Sequence, residues 1–99
     1  MIVRIVRMEF KKEEVANFLA LFEERREKIR HYPGCSYLEL LQGVAANESV
    51  IFTYSHWESE AALDHYRYSD FFGETWDIVK TMLSAKTKAI STQRLYKMD

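Results

Sequence analysis

The stretch Ser49 to Trp57 (SVIFTYSHW) reads as a β-strand that is apolar on both faces, and this limits the fold more than any other segment. Side chains alternate along a strand. Val50, Phe52 and Tyr54 therefore point one way, and Ile51, Thr53, Ser55 and Trp57 point the other. The first strand, Ile2 to Phe10 (IVRIVRMEF), is likewise largely apolar on both sides. A half-solvated sheet alternates cleanly between apolar and polar residues. This one does not, so both of its faces need a cover.

Between these strands the period changes. From Lys12 to Arg30, Val15, Phe18, Leu19, Phe22, Arg26 and Ile29 form one stripe at helical spacing, with Glu24 and Lys28 as an i,i+4 pair on the wet side. Pro33-Gly34 ends the helix. Cys35 to Gln42 is a second strand and Gly43 to Glu48 a loop before the third. Ser59 and Ser69 are N-caps for a short helix and then a longer one reaching about Leu83. Lys86 to Lys97 is the last strand. The order β-α-β-β-α-α-β, with right-handed crossovers, gives a ferredoxin-like α+β fold: a four-stranded antiparallel sheet with the helices on one face. Three helices cover one side only. A second copy related by a two-fold axis is the simplest cover for the other, so a homodimer is expected.

At 99 residues the chain is one domain, residues 1–99. Net charge is −1 with the signs interspersed, so no basic face points to nucleic acid. A single cysteine excludes an internal disulfide and agrees with a reducing compartment. Neither a leader pattern nor an apolar run of membrane-spanning length is present, so a soluble, cytoplasmic protein is expected, without membrane partners.

Few residues offer conventional chemistry. His31 and Cys35 are separated by Pro33-Gly34, His56 and His65 lie on different elements, and no metal-spaced pair exists, so no metal site is expected. No G-x-S-x-G occurs, and Cys35 after Pro-Gly reads as a structural thiol. Three scattered glycines, at 34, 43 and 73, make no phosphate loop. The remaining concentration is aromatic: Trp57, Tyr66, Phe71, Phe72 and Trp76 fall within twenty residues. Leu63, Tyr66, Phe72, Trp76 and Val79 could face the sheet. Phe72 and Val79 read first as core; Trp57 and Trp76 serve equally as core or as pocket wall. Arg4, mid-strand beside Ile2, Val6 and Met8, needs an acidic partner such as Glu39 or an anionic ligand oxygen.

The run WESEAALDHYRYSDFFGETW from Trp57 to Trp76, with Pro33-Gly34-Cys35 and the flanking strands, resembles the antibiotic biosynthesis monooxygenase (ABM) family over nearly the whole chain. The resemblance implies a dimeric α+β barrel with a pocket between sheet and helices. It also implies oxidation of phenols to quinones by O2 without metal or flavin. Trp57 matches the family tryptophan at the end of the third strand, while Thr53 stands where quinone-forming members can have Asn. A haem-degrading branch shares Trp57, Ser69 and Phe72, but its iron-binding His is replaced by Trp76, which cannot ligate iron. A branch acting on the autoinducer-2 signal often carries His where Tyr66 stands. The expectation is a cofactor-independent monooxygenase for a small aromatic phenol or quinol. Trp57, Thr53 and Tyr66 are its catalytic candidates, and Arg4, Phe72 and Trp76 its substrate-binding candidates. A non-catalytic dimeric binding protein is the alternative.

Overall fold

The structure is a computed structural model describing residues 1–99. Its elements are β1 (Ile2–Glu9), α1 (Val15–Arg30), β2 (Cys35–Gln42), β3 (Val50–Trp57), α2 (Glu60–Arg67), α3 (Asp70–Val79) and β4 (Lys88–Gln93). Single 3-10 turns at Lys12–Glu14 and Lys80–Met82 precede α1 and follow α3. The strands form one antiparallel sheet in the order β2-β3-β1-β4. This is the ferredoxin-like α+β arrangement, with helices on one face.

Register assigns the faces. Ile2 lies opposite Trp57, Arg4 opposite Ser55, Val6 opposite Thr53 and Met8 opposite Ile51. These residues share the helix side with Leu38 and Leu40 of β2. Beneath the helices lie two buried clusters. One contains Met8, Phe10, Phe18, Ile51, Val79 and Met82; the other contains Cys35, Trp57 and Leu63. In α1, Phe18 and Ile29 are buried and Val15, Leu21 and Phe22 pack against the first cluster, whereas Leu19 is 36% exposed. Leu21 thus replaces Leu19 in the expected stripe, and Arg26, also expected there, is exposed and pairs with Glu23 at 3.1 Å.

Two corners fix the helices. Ser59 Oγ accepts from the Ala62 N–H at 3.1 Å and caps α2. Ser69 Oγ accepts from the Phe72 N–H at 3.1 Å and donates to the Tyr66 carbonyl at 2.6 Å. One side chain therefore closes α2 and opens α3, which sets Tyr66 and Phe72 side by side. Gly34 makes the other corner, with φ +91°, and its carbonyl accepts from the Glu58 N–H at 2.9 Å. A Cβ there would lie 2.5 Å from Ala62 Cβ. Gly34→Ala combines a left-handed backbone, costing about 1–2 kcal/mol, with a steric push on α2. We expect its thermal midpoint to fall by roughly 4–8 °C for each kcal/mol. An unchanged melt would mean that this corner carries no strain.

The last strand is shorter than expected. β4 pairs only with β1, from Arg7 opposite Lys88 to Ile2 opposite Gln93. Beyond Gln93 the neighbouring strand has run out, so Arg94 to Lys97 are outside the sheet and Leu95 and Tyr96 are 81% and 89% exposed. The outer face of the sheet carries Ile5, Tyr37, Leu41, Phe52, Tyr54 and Ile90, and no helix of the protomer packs on it. Only at its Val3–His56 end does Arg94 reach His56 Nε2, at 3.3 Å, where Val3 is 5% exposed. No helix is long and apolar enough to cross a membrane.

Candidate functional site

Between the helix side of the sheet and the three helices lies a partly open cavity of about 370 Å³. That is within the range of small-molecule sites, at its lower end. Its floor is Arg4 and Val6 from β1 with Thr53, Ser55 and Trp57 from β3; its walls include Tyr66 and Arg67 from α2 and Phe72 and Trp76 from α3. Thr87 and Ala89 close the β4 side. The residues singled out from the sequence, Arg4, Thr53, Trp57, Tyr66, Phe72 and Trp76, all border this one cavity.

The aromatic residues form a continuous wall. Trp57 stacks on Tyr66 with centroids 4.9 Å apart and planes 22° apart. Tyr66 meets Phe72 edge-on at 5.1 Å, and Phe72 lies parallel to Trp76 at 6.3 Å. Trp57 is both core and wall: it is 1% exposed, and its indole N–H donates to Ser55 Oγ at 3.0 Å. Only its ring is presented to a ligand. The protein's own hydrogen bonds around the cavity also include Arg4 to Ser91 and Arg25 to Thr75. The Thr53 hydroxyl, the Tyr66 hydroxyl and the Trp76 indole N–H take part in none, and Thr87 Oγ1 is buried without a partner. Buried polar groups are rarely left unmatched, so Thr87 Oγ1 marks a place for a ligand or water; the other three groups are not fully buried and are free to bond into the cavity.

Electrostatics separate the roles. Burial, reinforced by Cys35 and Tyr32, pushes the Tyr66 hydroxyl far above the ordinary phenol range. Tyr66 is thus a hydrogen-bond donor at any ordinary pH and not a base. Arg4 is lowered from its usual value, first by partial burial and then by the neighbouring Arg67 charge, against a smaller opposing effect of Asp64. The expected pairing of Arg4 with Glu39 does not occur. Glu39 lies opposite Tyr54 on the outer face and accepts from the Tyr37 hydroxyl, whereas Arg4 points to the helix side. Strand alternation separates the two carriers of charge.

The other reactive side chains lie elsewhere. Cys35 is buried, its Sγ is 3.6 Å from the Tyr37 carbonyl, and burial raises its pKa. His31 lies against the Glu27 carbonyl, His56 on the outer face beside Tyr37 and Tyr54, and His65 5.7 Å from Tyr32. No three His, Cys, Asp or Glu side chains converge as a metal-binding group would. The only titratable residues lining the cavity are Arg4, Tyr66 and Arg67. Arg67 and Thr87 were not singled out from the sequence. Arg67 ends a helix in a polar run, and Thr87 precedes a strand, so neither carries a periodic signal of its own.

A family model described as antibiotic biosynthesis monooxygenase matches residues 1–76. Among solved structures, one described as an antibiotic biosynthesis monooxygenase superposes with a TM-score of 0.87 at 20% identity, covering 97% of this chain and 100% of its own. A conserved protein from Methanosarcina mazei Go1 gives 0.86 at 23% identity, with 95% and 93% covered. A Mycobacterium tuberculosis protein gives 0.86 at 18% identity, with 99% and 98% covered. No functionally curated protein matches the sequence.

Proposed function

Because the chain belongs to the antibiotic biosynthesis monooxygenase family, we propose that it is a cofactor-independent monooxygenase that oxidises a small phenol or quinol with O2. The observation that carries this reading is a single cavity with an aromatic wall, one half-buried cation and several hydrogen-bonding groups without protein partners. The substrate ring lies along Trp57, Tyr66, Phe72 and Trp76. Thr53 and Tyr66 hold its hydroxyl oxygen by hydrogen bonds, and Arg4 attracts an anionic oxygen of the same molecule. A homodimer, with the outer sheet faces together, is part of the same reading.

The chemistry belongs mainly to the substrate. A phenolate gives one electron to O2, and the resulting phenoxyl and superoxide join at the ring carbon opposite the oxygen. Protonation of the peroxide, loss of the proton on that carbon and cleavage of the O–O bond yield quinone and water. Phenol and O2 thus become quinone and water: four electrons leave the ring, one oxygen atom enters it and the other leaves as water. The protein binds the phenolate, orients it and excludes bulk water. No lining side chain accepts a proton near neutral pH, so the phenolic proton leaves to water at the cavity's open side.

That route has a pH signature. The rate should climb with the ionisation of the substrate, and its midpoint should move when substituents change the phenol's own pKa. A midpoint fixed in the carboxylate or histidine range for every substrate would require a side-chain base. Thr53→Val and Tyr66→Phe should each lower kcat/KM roughly two- to tenfold, with melting curves close to the parent, since a neutral hydrogen bond is worth about 0.5–1.5 kcal/mol. O2 uptake and quinone formation measured with a panel of phenols and naphthols that carry hydrogen opposite the hydroxyl test the whole reading. The missing proton acceptor also favours a second one, a dimeric protein that binds such compounds without turnover; saturable binding with no O2 uptake would select it.

A further inference from the structure

We propose that Arg4 and Arg67 form a carboxylate anchor at one side of the cavity, so that its ligand is a hydroxylated aromatic acid and not a neutral phenol. The inference rests on the reading of this cavity as the ligand site and adds the class of compound. Both arginines line the cavity, one from the middle of β1 and one from the last turn of α2, and the Arg67 charge is close enough to act on Arg4. The Arg67 guanidinium, 5.8 Å over the exposed Tyr68 ring, sits at the cavity's open side. Arg4 makes no ion pair; its Nη1 donates to the neutral hydroxyl of Ser91 at 3.0 Å. Arg67 reaches Asp64 only at 3.6 Å, in a pair whose side chains are 37% and 55% exposed. Such loose exposed pairs contribute little. Two cations therefore share one carboxylate, and the more buried of them has none to itself.

A half-buried cation next to a second cation is costly unless an anion joins them. A carboxylate suits the gap, with two oxygens that accept from two planar guanidinium forks. The reacting phenolate suits it less well. Two arginines on that oxygen would stabilise the anion so strongly that it would give up an electron to O2 less readily. Thr53 and Tyr66 offer the phenolate neutral donors, which hold it without that penalty. Hydroxyl and carboxylate thus occupy different ends of one ring system.

The probes are 1-naphthol and 1-naphthol with a carboxylate on its far ring, both with hydrogen on the carbon opposite the hydroxyl, measured by titration calorimetry and by O2 uptake. The parent should bind the acid about tenfold or more tightly than the naphthol, as expected for a charge-assisted contact. Arg67→Met should collapse the ratio toward one, Arg67→Lys should restore part of it by keeping the charge without the fork, and Asp64→Asn should raise it by removing the competing carboxylate. Arg67 and Asp64 lie at a solvent-accessible helix end, so these variants should fold, which melting curves check. Equal binding of the two probes, or a preference that survives Arg67→Met, overturns the anchor and leaves the aromatic cavity standing. No binding of either probe overturns both. A preference for the acid without O2 uptake supports the anchor and removes the oxygenase reading instead.

Discussion

Trp57→Ala is expected to leave little folded protein, and Trp57→Phe to melt well below the parent. The indole is 1% exposed and packs with Cys35, Leu63 and Tyr66 in a cluster separate from the larger core. Removing a buried Trp side chain to Ala costs about 3–5 kcal/mol, out of a total stability of about 5–15 kcal/mol for a domain. Phe keeps much of the packing but loses the N–H that satisfies Ser55 Oγ, whose residue is only 6% exposed. A buried hydroxyl left without its donor costs about 1–3 kcal/mol, which should lower the midpoint by roughly 4–8 °C for each kcal/mol. Adding Ser55→Ala to Trp57→Phe should recover part of that loss, because the orphaned oxygen goes with it. If Trp57→Phe melts with the parent and Ser55→Ala adds nothing, the indole N–H has no structural share. Ligand affinity of the surviving folded fraction then reports on the ring as a pocket wall, separately from its place in the core.

The fold was legible because its signals are local and agree with one another. The two-sided apolar strands, the turn at Pro33-Gly34 and the caps at Ser59 and Ser69 each specify one feature of the same architecture. The aromatic wall was legible for the same reason: Leu63 and Tyr66 on α2, and Phe72, Trp76 and Val79 on α3, recur at helical spacing, and Trp57 alternates onto the helix side. Pairings across elements were not. Arg4 and Glu39 looked complementary as charges, but the register of β2 on β3 puts Glu39 opposite Tyr54 and so on the far face. Arg67 was invisible because its position depends on where α2 ends over the sheet, not on its own periodicity. The extent of β4 depends on β1 beginning at Ile2, which no residue in Lys86 to Lys97 records.

The chain is expected to run as a homodimer in solution, with a mass by light scattering close to twice 11.8 kDa at micromolar concentration. In the protomer the outer sheet face leaves Tyr37, Leu41 and Ile90 at 40%, 45% and 59% exposure, around half-buried Ile5, Phe52 and Tyr54. A contiguous apolar face of this kind is uncommon on a monomer. Its shape, a twisted sheet, is matched by another copy of itself through a two-fold axis. Obligate interfaces of this type commonly bury more than about 2,000 Å². The discriminating variant is Leu41→Lys with Ile90→Lys. Both side chains are exposed in the protomer, so the charges should not disturb its core, but a dimer would have to bury them near the mating sheet. Buried unpaired charges cost several kcal/mol each, so the dissociation constant should rise at least about a hundredfold. Because association stabilises the folded state by mass action, the parent's melting midpoint should also rise with protein concentration, and the variant's should not. A parent that stays monomeric at micromolar concentration, with a concentration-independent melt, would show that the outer face is stable in water and that its apolar pattern serves another contact.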